Sequence, residues 1–166
     1  KCFMHKARGM VRDVFRTRNM RGLPGNVGLG QVRYPTAGNA YSEEEAQPFY
    51  VNAPFGIVLV HNGNLTNAQA LKKELFDIDR RHINTESDTE VLINVVAHEL
   101  EQVARDLPLT PESIFRAVGA VHKRLKGSYA VIALIAGHGL LAFRDPFGIR
   151  PLCFGEADTP DGPETL

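Results

Sequence analysis

Three short polar segments carry the side chains of this sequence that are best suited to chemistry, and each follows or precedes a predicted strand or helix. Arg33 can hold a carboxylate through paired hydrogen bonds. Asn62 and Gly63 can direct a side-chain NH2 and a backbone N–H at one oxygen atom, as an oxyanion hole requires. Asp88 stands in the first turn of a predicted helix, where an anion is favoured, and could face an ammonium group. Together they predict a site for acyl transfer on the side chain of an amino acid.

Residue types alone leave other interpretations open. An arginine at a strand end also caps backbone carbonyls, and Asn-Gly commonly forms a β-turn. The polar residues around Asp88 also form a helix cap. His61 could serve as a general base or as a packed, hydrogen-bonded side chain. The candidate set contains no nucleophile, so it does not by itself define a complete reaction.

The elements that position these residues follow from the spacing of apolar residues. Strands are predicted at 26–33, 56–61, 128–136, 139–144 and 151–154, with a two-residue turn at Gly137-His138. Helices are predicted after capping boxes that begin at Thr66 and Ser87, and after Thr110-Pro111. Strands and helices that are grouped rather than alternating predict an α+β fold with a largely antiparallel sheet. One sheet with a helical layer would suffice, and two sheets between two helical layers would need more strands than these.

Composition narrows the classes of function. The 166 residues carry 19 Lys and Arg against 19 Asp and Glu, which argues against a broad basic face for nucleic acid. Only a local cluster occurs, at Arg12, Arg16, Arg18 and Arg21. No apolar run reaches the length of a membrane span. The two cysteines are too few for a disulfide scaffold or a zinc site and are expected to be free thiols. The acidic, proline-containing segment 156–166 is predicted to be a loop or tail.

Five motifs occur in an order that points to a known family. They are Arg-Tyr-Pro-Thr-Ala-Gly at 33–38, Glu-Ala-Gln-Pro-Phe at 45–49, His-Asn-Gly-Asn-Leu-Thr-Asn at 61–67, Asn-Thr-Glu-Ser-Asp at 84–88 and Phe-Arg-Asp-Pro-Phe-Gly-Ile-Arg-Pro-Leu at 143–152. With these motifs the chain resembles the glutaminase domains of the amidophosphoribosyltransferase family, which are class II, N-terminal-nucleophile glutamine amidotransferases. The resemblance covers about residues 1–155.

The resemblance implies an αββα sandwich and a role for each candidate residue. Arg33, with help near Thr36, would bind the α-carboxylate of glutamine, and Asp88 would bind its α-amino group. Asn62 and Gly63 would form the oxyanion hole. The implied activity is hydrolysis of L-glutamine to glutamate and ammonia. The ammonia then displaces pyrophosphate from phosphoribosylpyrophosphate to form phosphoribosylamine in purine synthesis.

The resemblance also carries expectations about the rest of the protein. Family members begin with a nucleophilic cysteine, whereas this sequence begins with Lys1, and Cys2 is interpreted as a strand residue rather than the nucleophile. The sandwich is therefore expected to be incomplete at its N-terminus, and the 166 residues alone to be inactive. No cofactor is expected in this domain. Magnesium and phosphoribosylpyrophosphate are expected in a separate phosphoribosyltransferase domain, within a cytoplasmic homo-oligomer that binds neither nucleic acid nor membrane.

Two alternative functions are compatible with the same residues. One is a relative without a nucleophile that binds glutamine or acts as a scaffold. The other is a class II amidotransferase that transfers ammonia to a different acceptor.

Overall fold

The computed structural model describes residues 1–32, 44–105 and 108–165, so Arg33 and Thr36 lie outside the described residues. Its helices are α1 (Val11–Val14), α2 (Thr17–Arg21), α3 (Ala68–Asp77), α4 (Asp88–Val103) and α5 (Pro111–Arg124). Its strands are β1 (Phe49–Val51), β2 (Ile57–Leu65), β3 (Gly127–Ile135), β4 (Gly139–Arg144), β5 (Glu156–Thr159) and β6 (Gly162–Thr165). The grouping of strands and helices confirms the predicted α+β class.

Strands β1 to β4 form one antiparallel sheet in the order β1-β2-β3-β4. Strand β2 pairs with β3 along its whole length, from Ile57 opposite Ile135 to Leu65 opposite Gly127. Strand β1 is much shorter and pairs with β2 only from Val51 opposite Ile57 to Phe49 opposite Leu59. The last residues of β2 therefore have no backbone strand beside them on the β1 side within the described chain.

Helix α4 forms the centre of the helical layer. Its apolar residues repeat at the predicted helical spacing and are fully buried: Val91, Leu92, Val95, Val96 and Leu100 are each at most 3% exposed. The helix packs against β1 and β2 on one side and lies between α3 and α5. Because Asp88 is its first residue, the packing of α4 on the sheet fixes where Asp88 stands relative to β2.

Helix α5 begins as predicted. Thr110 is its N-cap and accepts a hydrogen bond from the Ser113 N–H, while Pro111 occupies the first turn. At Ser87 the predicted N-cap is confirmed, but the Glu90 side chain bonds to Asn84 and Thr85 rather than closing a capping box. The capping box predicted at Thr66 is wrong. Helix α3 starts after Asn67, and the Gln69 side chain instead donates to Glu86. In both places a side chain that could cap its own helix bonds instead to the segment 84–86, outside the helix.

The hairpin of β3 and β4 is confirmed, with a three-residue loop rather than the predicted two-residue turn. Ile135 pairs with Gly139, so Ala136, Gly137 and His138 form the connection. The loop closes through a hydrogen bond of 2.9 Å from the His138 N–H to the Ile135 carbonyl.

Both ends of the chain differ from the sequence prediction. Residues 26–32 and 151–154 form no strand, and Cys2 lies in an irregular segment rather than in a strand. Glycines at 25, 28 and 30 deprive the first segment of side chains that could pack on a sheet. The predicted tail instead contains the ribbon of β5 and β6, whose turn is closed by Thr159 Oγ1 donating to the Gly162 carbonyl at 2.7 Å.

A close backbone approach at Gly127 leads to a test of the β2–β3 register. A Cβ atom there would stand 2.2 Å from the Asn64 carbonyl oxygen, and φ is +133°. We expect Gly127→Ala to lower the free energy of unfolding by at least about 2 kcal/mol in urea melts, because the strands must move apart.

The matched control is Gly119→Ala in α5, where a Cβ would meet no atom within 4 Å. It should raise stability by about 0.5–1 kcal/mol, since alanine is the better helix former. Equal effects of the two substitutions would contradict the register argument.

Candidate active site

The unpaired edge of β2 is completed by a side chain at His61. The register of β1 and β2 would place Gln47 opposite His61, and the Gln47 amide takes over that pairing. Its Oε1 accepts from the His61 N–H at 2.6 Å, and its Nε2 donates to the His61 carbonyl at 3.0 Å. Beyond this point the edge is open until Leu65, whose N–H donates to Asp88 Oδ2 at 2.9 Å.

Gly63 lies between these two contacts. Backbone groups of alternate residues point to the same side of a strand. Since the N–H groups of His61 and Leu65 both point to the open edge, the Gly63 N–H points there as well. A Cβ atom at residue 63 would stand 2.0 Å from the Ser128 carbonyl oxygen, so this approach of β3 requires glycine. The strand thus presents a backbone donor at the open edge.

The open edge forms one wall of a cleft of about 470 Å³, a volume suited to a small molecule. Asn62 and Gly63 line it from β2, and Asp88 lines it from the start of α4. Three of the five predicted site residues are thereby brought together. The other two, Arg33 and Thr36, lie outside the described residues.

Asn62 and Gly63 occupy a different local structure from the one their sequence suggests. They lie within β2, opposite Ala130 and Tyr129, rather than in a turn after a strand. The Asn-Gly pair is therefore wrong as a turn signal, because pairing with β3 extends the strand past it. The positions nevertheless line the cleft, as expected for a pair directed at one oxygen atom.

Asp88 keeps acceptor capacity for a ligand. Its Oδ2 takes the Leu65 N–H, and its Oδ1 lies 3.8 Å from His61 Nδ1, beyond hydrogen-bond distance. Its side chain is 24% exposed. The helix cap is formed by Ser87, whose Oγ accepts from the Thr89 N–H. Asp88 is thus free of the capping role and presents a carboxylate to the cleft.

Glu90 stabilises the segment that leads into α4 in a way the capping-box prediction missed. Its carboxylate accepts from the backbone N–H groups of Asn84 and Thr85 and from the Thr85 hydroxyl at 2.6 Å. The predicted reciprocal bond to Ser87 is replaced by these bonds. The polar residues of 84–90 therefore fix the entrance to the helix, which in turn fixes Asp88.

His61 is buried in the wall of the cleft. Its Nδ1 lies 3.3 Å from Thr89 Oγ1, and its Nε2 is buried with no hydrogen-bond partner among the described residues. Burial lowers the pKa of His61, the charge of Asp88 opposes this, and the charge of Arg150 adds to it. The imidazole is therefore neutral at pH 7. A role of His61 as general base stays a prediction.

Arg150 is a cleft residue that sequence reasoning missed. It lines the cleft, and its Nε atom is buried with no hydrogen-bond partner in the described chain. The predicted turn after β4 is confirmed and carries Arg150 to this place. A signal was available in the sequence, since Arg150 follows the turn at 145–148 with one residue between and precedes the predicted strand 151–154.

Asp145 holds that turn together. Its carboxylate accepts backbone N–H groups from Tyr129, Phe147, Ile149 and Arg150 at 2.9–3.4 Å. Burial by itself raises the pKa of Asp145, but the four backbone donors outweigh it and lower the pKa below the usual aspartate range. Asp145 thereby ties the backbone of Arg150 to β3.

Neither cysteine takes part in the cleft. Cys2 and Cys153 are both free and exposed, and no cysteine is among the described residues that line the cleft. Within the described ranges no group of three or more His, Cys, Asp or Glu side chains is placed to hold a metal ion. In the same ranges no helix is long and apolar enough to cross a membrane.

The chain is similar to known proteins in both sequence and fold. The model of the glutamine amidotransferase domain family matches residues 37–161. Amidophosphoribosyltransferase of Pseudomonas aeruginosa is 57% identical over 166 residues, which is all of this chain and 33% of that protein. The enzyme of the same name from Escherichia coli is 56% identical over 95% of this chain and 31% of its own length. The chain thus spans about a third of the length of these curated relatives.

Two solved structures share the fold. Glutamine phosphoribosylpyrophosphate amidotransferase of B. subtilis, complexed with ADP and GMP, aligns with a TM-score of 0.70 at 28% identity over 97% of this chain and 32% of that one. A structure of the allosteric regulatory enzyme of purine biosynthesis aligns with a TM-score of 0.73 at 30% identity, over 94% of this chain and 31% of that one. The chain has the N-terminal-nucleophile hydrolase fold, of which the described residues supply one four-stranded sheet and its helical layer.

The Asp145 turn predicts a pH-dependent contribution to stability. Because the folded pKa of Asp145 is lowered, its contribution is present above the pKa of the unfolded chain and is lost as the pH falls through the folded pKa. We expect Asp145→Asn, which mimics the protonated acid, to lower the melting temperature by several degrees at pH 7. The difference from wild type should shrink below about pH 4.

Asp158→Asn is the control, since Asp158 lies exposed in β5. It should leave the melting temperature unchanged at both pH values. A deficit of Asp145→Asn that is the same size in acid as at neutral pH would contradict the assignment.

Proposed function

Because the chain belongs to the glutamine amidotransferase domain family, we propose that it forms the glutaminase site of an amidophosphoribosyltransferase. In this site L-glutamine is hydrolysed to glutamate and ammonia. The proposal rests on one observation above all. Within the described residues, an unpaired backbone donor at Gly63, the Asn62 side chain and the Asp88 carboxylate lie along one strand edge beside a cleft of suitable size.

The roles of Asn62 and Gly63 follow from the negative charge that develops on the substrate during the reaction. A thiolate that attacks the side-chain carbonyl of glutamine places a negative charge on its oxygen. Asn62 and the Gly63 N–H donate hydrogen bonds to that oxygen, and they stabilise the tetrahedral intermediate more than the substrate. The C–N bond then breaks with protonation of the leaving nitrogen, ammonia departs, and water releases glutamate from the thioester.

The α-ammonium and α-carboxylate groups of glutamine are bound by two residues of opposite charge. Asp88 accepts the α-ammonium group, for which its Oδ1 is available. Arg33, with Thr36 nearby, binds the α-carboxylate. The roles of Arg33 and Thr36 rest on the sequence motif that they share with the family.

The nucleophile in this proposal is the N-terminal cysteine of the family and not Cys2. Cys2 is exposed and is absent from the described lining of the cleft. The 166 residues therefore supply substrate binding and the oxyanion hole and are inactive when isolated. The thiol reaction needs no cofactor in this domain.

Ammonia is proposed to pass to phosphoribosylpyrophosphate, bound with Mg²⁺ in a phosphoribosyltransferase domain of the same protein. The names of the relatives support this acceptor. We place the protein in the cytoplasm as a homo-oligomer with no nucleic-acid or membrane partner.

The Asp88 carboxylate in the cleft also supports a second candidate, a relative that binds glutamine without hydrolysing it. The two are separated by adding L-glutamine to the native full-length protein and measuring glutamate. Binding without release of glutamate would support the second candidate, whereas sustained release supports the glutaminase.

The oxyanion hole predicts unequal effects for two asparagines of the same strand. Asn62→Ala should lower kcat for glutamine hydrolysis by about 10²–10³-fold with little change in KM, because the lost bond forms in the transition state. Asn64, which also lines the cleft, provides the matched comparison. Asn64→Ala should lower kcat much less, and equal losses would contradict the assignment of Asn62.

The position of Cys2 predicts that its substitution leaves catalysis unchanged. Since its thiol is exposed and outside the cleft lining, Cys2→Ala should leave kcat and KM of the native full-length protein unchanged in a glutamate-release assay. Loss of turnover in this variant would make Cys2 the nucleophile and overturn our interpretation of the N-terminal segment.

A further inference from the structure

We infer that His61 is a positioning residue that acts through Thr89 to hold the Asp88 carboxylate where it meets the α-ammonium group of the substrate. The inference rests on the proposed function, which supplies the ammonium ligand. It assigns to a buried histidine and a buried threonine a part in substrate selection, although neither side chain is required to touch the substrate.

The contacts begin at the His61 ring. Its side chain is only 1% exposed, and Nδ1 lies 3.3 Å from Thr89 Oγ1 and 3.8 Å from Asp88 Oδ1. Thr89 directly follows Asp88 in the first turn of α4 and is 1% exposed. The imidazole thus contacts the turn that carries the carboxylate, from the strand whose edge forms the cleft.

Gln47 connects the same two elements from a third side. Its Nε2 lies 3.1 Å from Thr89 Oγ1 and also bonds to the His61 carbonyl. Because the hydroxyl accepts from Gln47, its own proton remains available to His61 Nδ1. Segments from before β1, from β2 and from α4 therefore meet at one threonine hydroxyl.

The second tie between α4 and β2 belongs to Asp88 itself. Its Oδ2 accepts the Leu65 N–H at 2.9 Å, which leaves Oδ1 as the oxygen nearer the ring. The Leu65 bond alone leaves the carboxylate able to turn about the Oδ2 contact. The His61–Thr89 contact holds the helix turn at a second point, which restricts the direction in which Oδ1 points.

The surroundings of His61 argue against two simpler roles. Direct proton transfer with solvent is unfavourable for a ring that is almost completely buried. A purely space-filling role is also unfavourable. Burial of an imidazole whose Nε2 has no described partner is destabilising, and an apolar side chain would avoid that cost. The ring is stabilised through its Nδ1 contact, which is the contact to the Asp88 turn.

The test compares two substrates in the native full-length protein: L-glutamine, and glutaramate, which is glutamine without its α-amino group. The measured quantity is the ratio of their kcat/KM values. Asp88→Asn is the benchmark and should reduce this preference by about 10–100-fold, as loss of a bond to a charged group does. His61→Phe and Thr89→Val should each reduce it by about tenfold, mainly through KM for glutamine.

Conservative and matched variants separate positioning from a general structural defect. Thr89→Ser keeps the hydroxyl and should retain the wild-type preference, and Thr89→Val keeps the volume if His61→Phe fails to fold. His122→Gln is the control, because His122 Nδ1 also has a close contact, 2.7 Å to the Tyr129 hydroxyl, but lies outside the cleft lining. It should leave the substrate preference unchanged. Added to Asp88→Asn, His61→Phe should lower the preference no further.

The outcomes distinguish the two proposals. If wild-type protein hydrolyses neither compound, the proposed function fails and this inference fails with it. If Asp88→Asn removes the preference while Thr89→Val and a folded His61→Phe keep it, the proposed function stands and the positioning role is overturned. Equal losses for both substrates in the His61 and Thr89 variants would also overturn it, because a structural defect does not distinguish the α-amino group.

Discussion

The short strand β1 is the constraint on which the candidate site depends. Had β1 continued beside β2 past His61, its backbone would have taken the Gly63 and Leu65 N–H groups. Instead the Gln47 amide ends the pairing at His61, and the Asp88 carboxylate takes Leu65. Unpaired buried backbone groups are destabilising, so each of these side chains stabilises the fold while it leaves Gly63 open to the cleft.

The opposite side of β2 imposes a second constraint. Strand β3 approaches so closely that a Cβ at Gly63 or Gly127 would overlap backbone oxygen atoms. This close approach of β3 determines where the Gly63 N–H lies. The same strand is tied to the turn after β4 through Asp145, which carries Arg150 to the cleft. The Gly63 donor and Arg150 are thus both positioned by β3.

The sequence predicted the parts of the fold that follow from periodicity and local capping. The stripe of α4, the start of α5 and the β3–β4 hairpin depend on spacing and turn chemistry within one element. The sequence prediction was wrong where a partner distant in sequence determines the local structure. At Asn62-Gly63, for example, pairing with β3 overrides the turn preference. Asp88 and the Asn62-Gly63 pair were recognised from residue type, whereas Arg150 depended on the geometry of a turn.

Asp88 shows why stability and binding cannot be separated in such a site. One carboxylate oxygen completes the backbone bonding of β2, and the other faces a ring that is itself held by the threonine of the same helix turn. A substrate ammonium would meet an acceptor already placed by the fold, so less binding energy is lost to ordering. Asp88 therefore both binds the substrate and holds the end of β2. A change in the orientation of its carboxylate alters substrate binding and the stability of the strand end together.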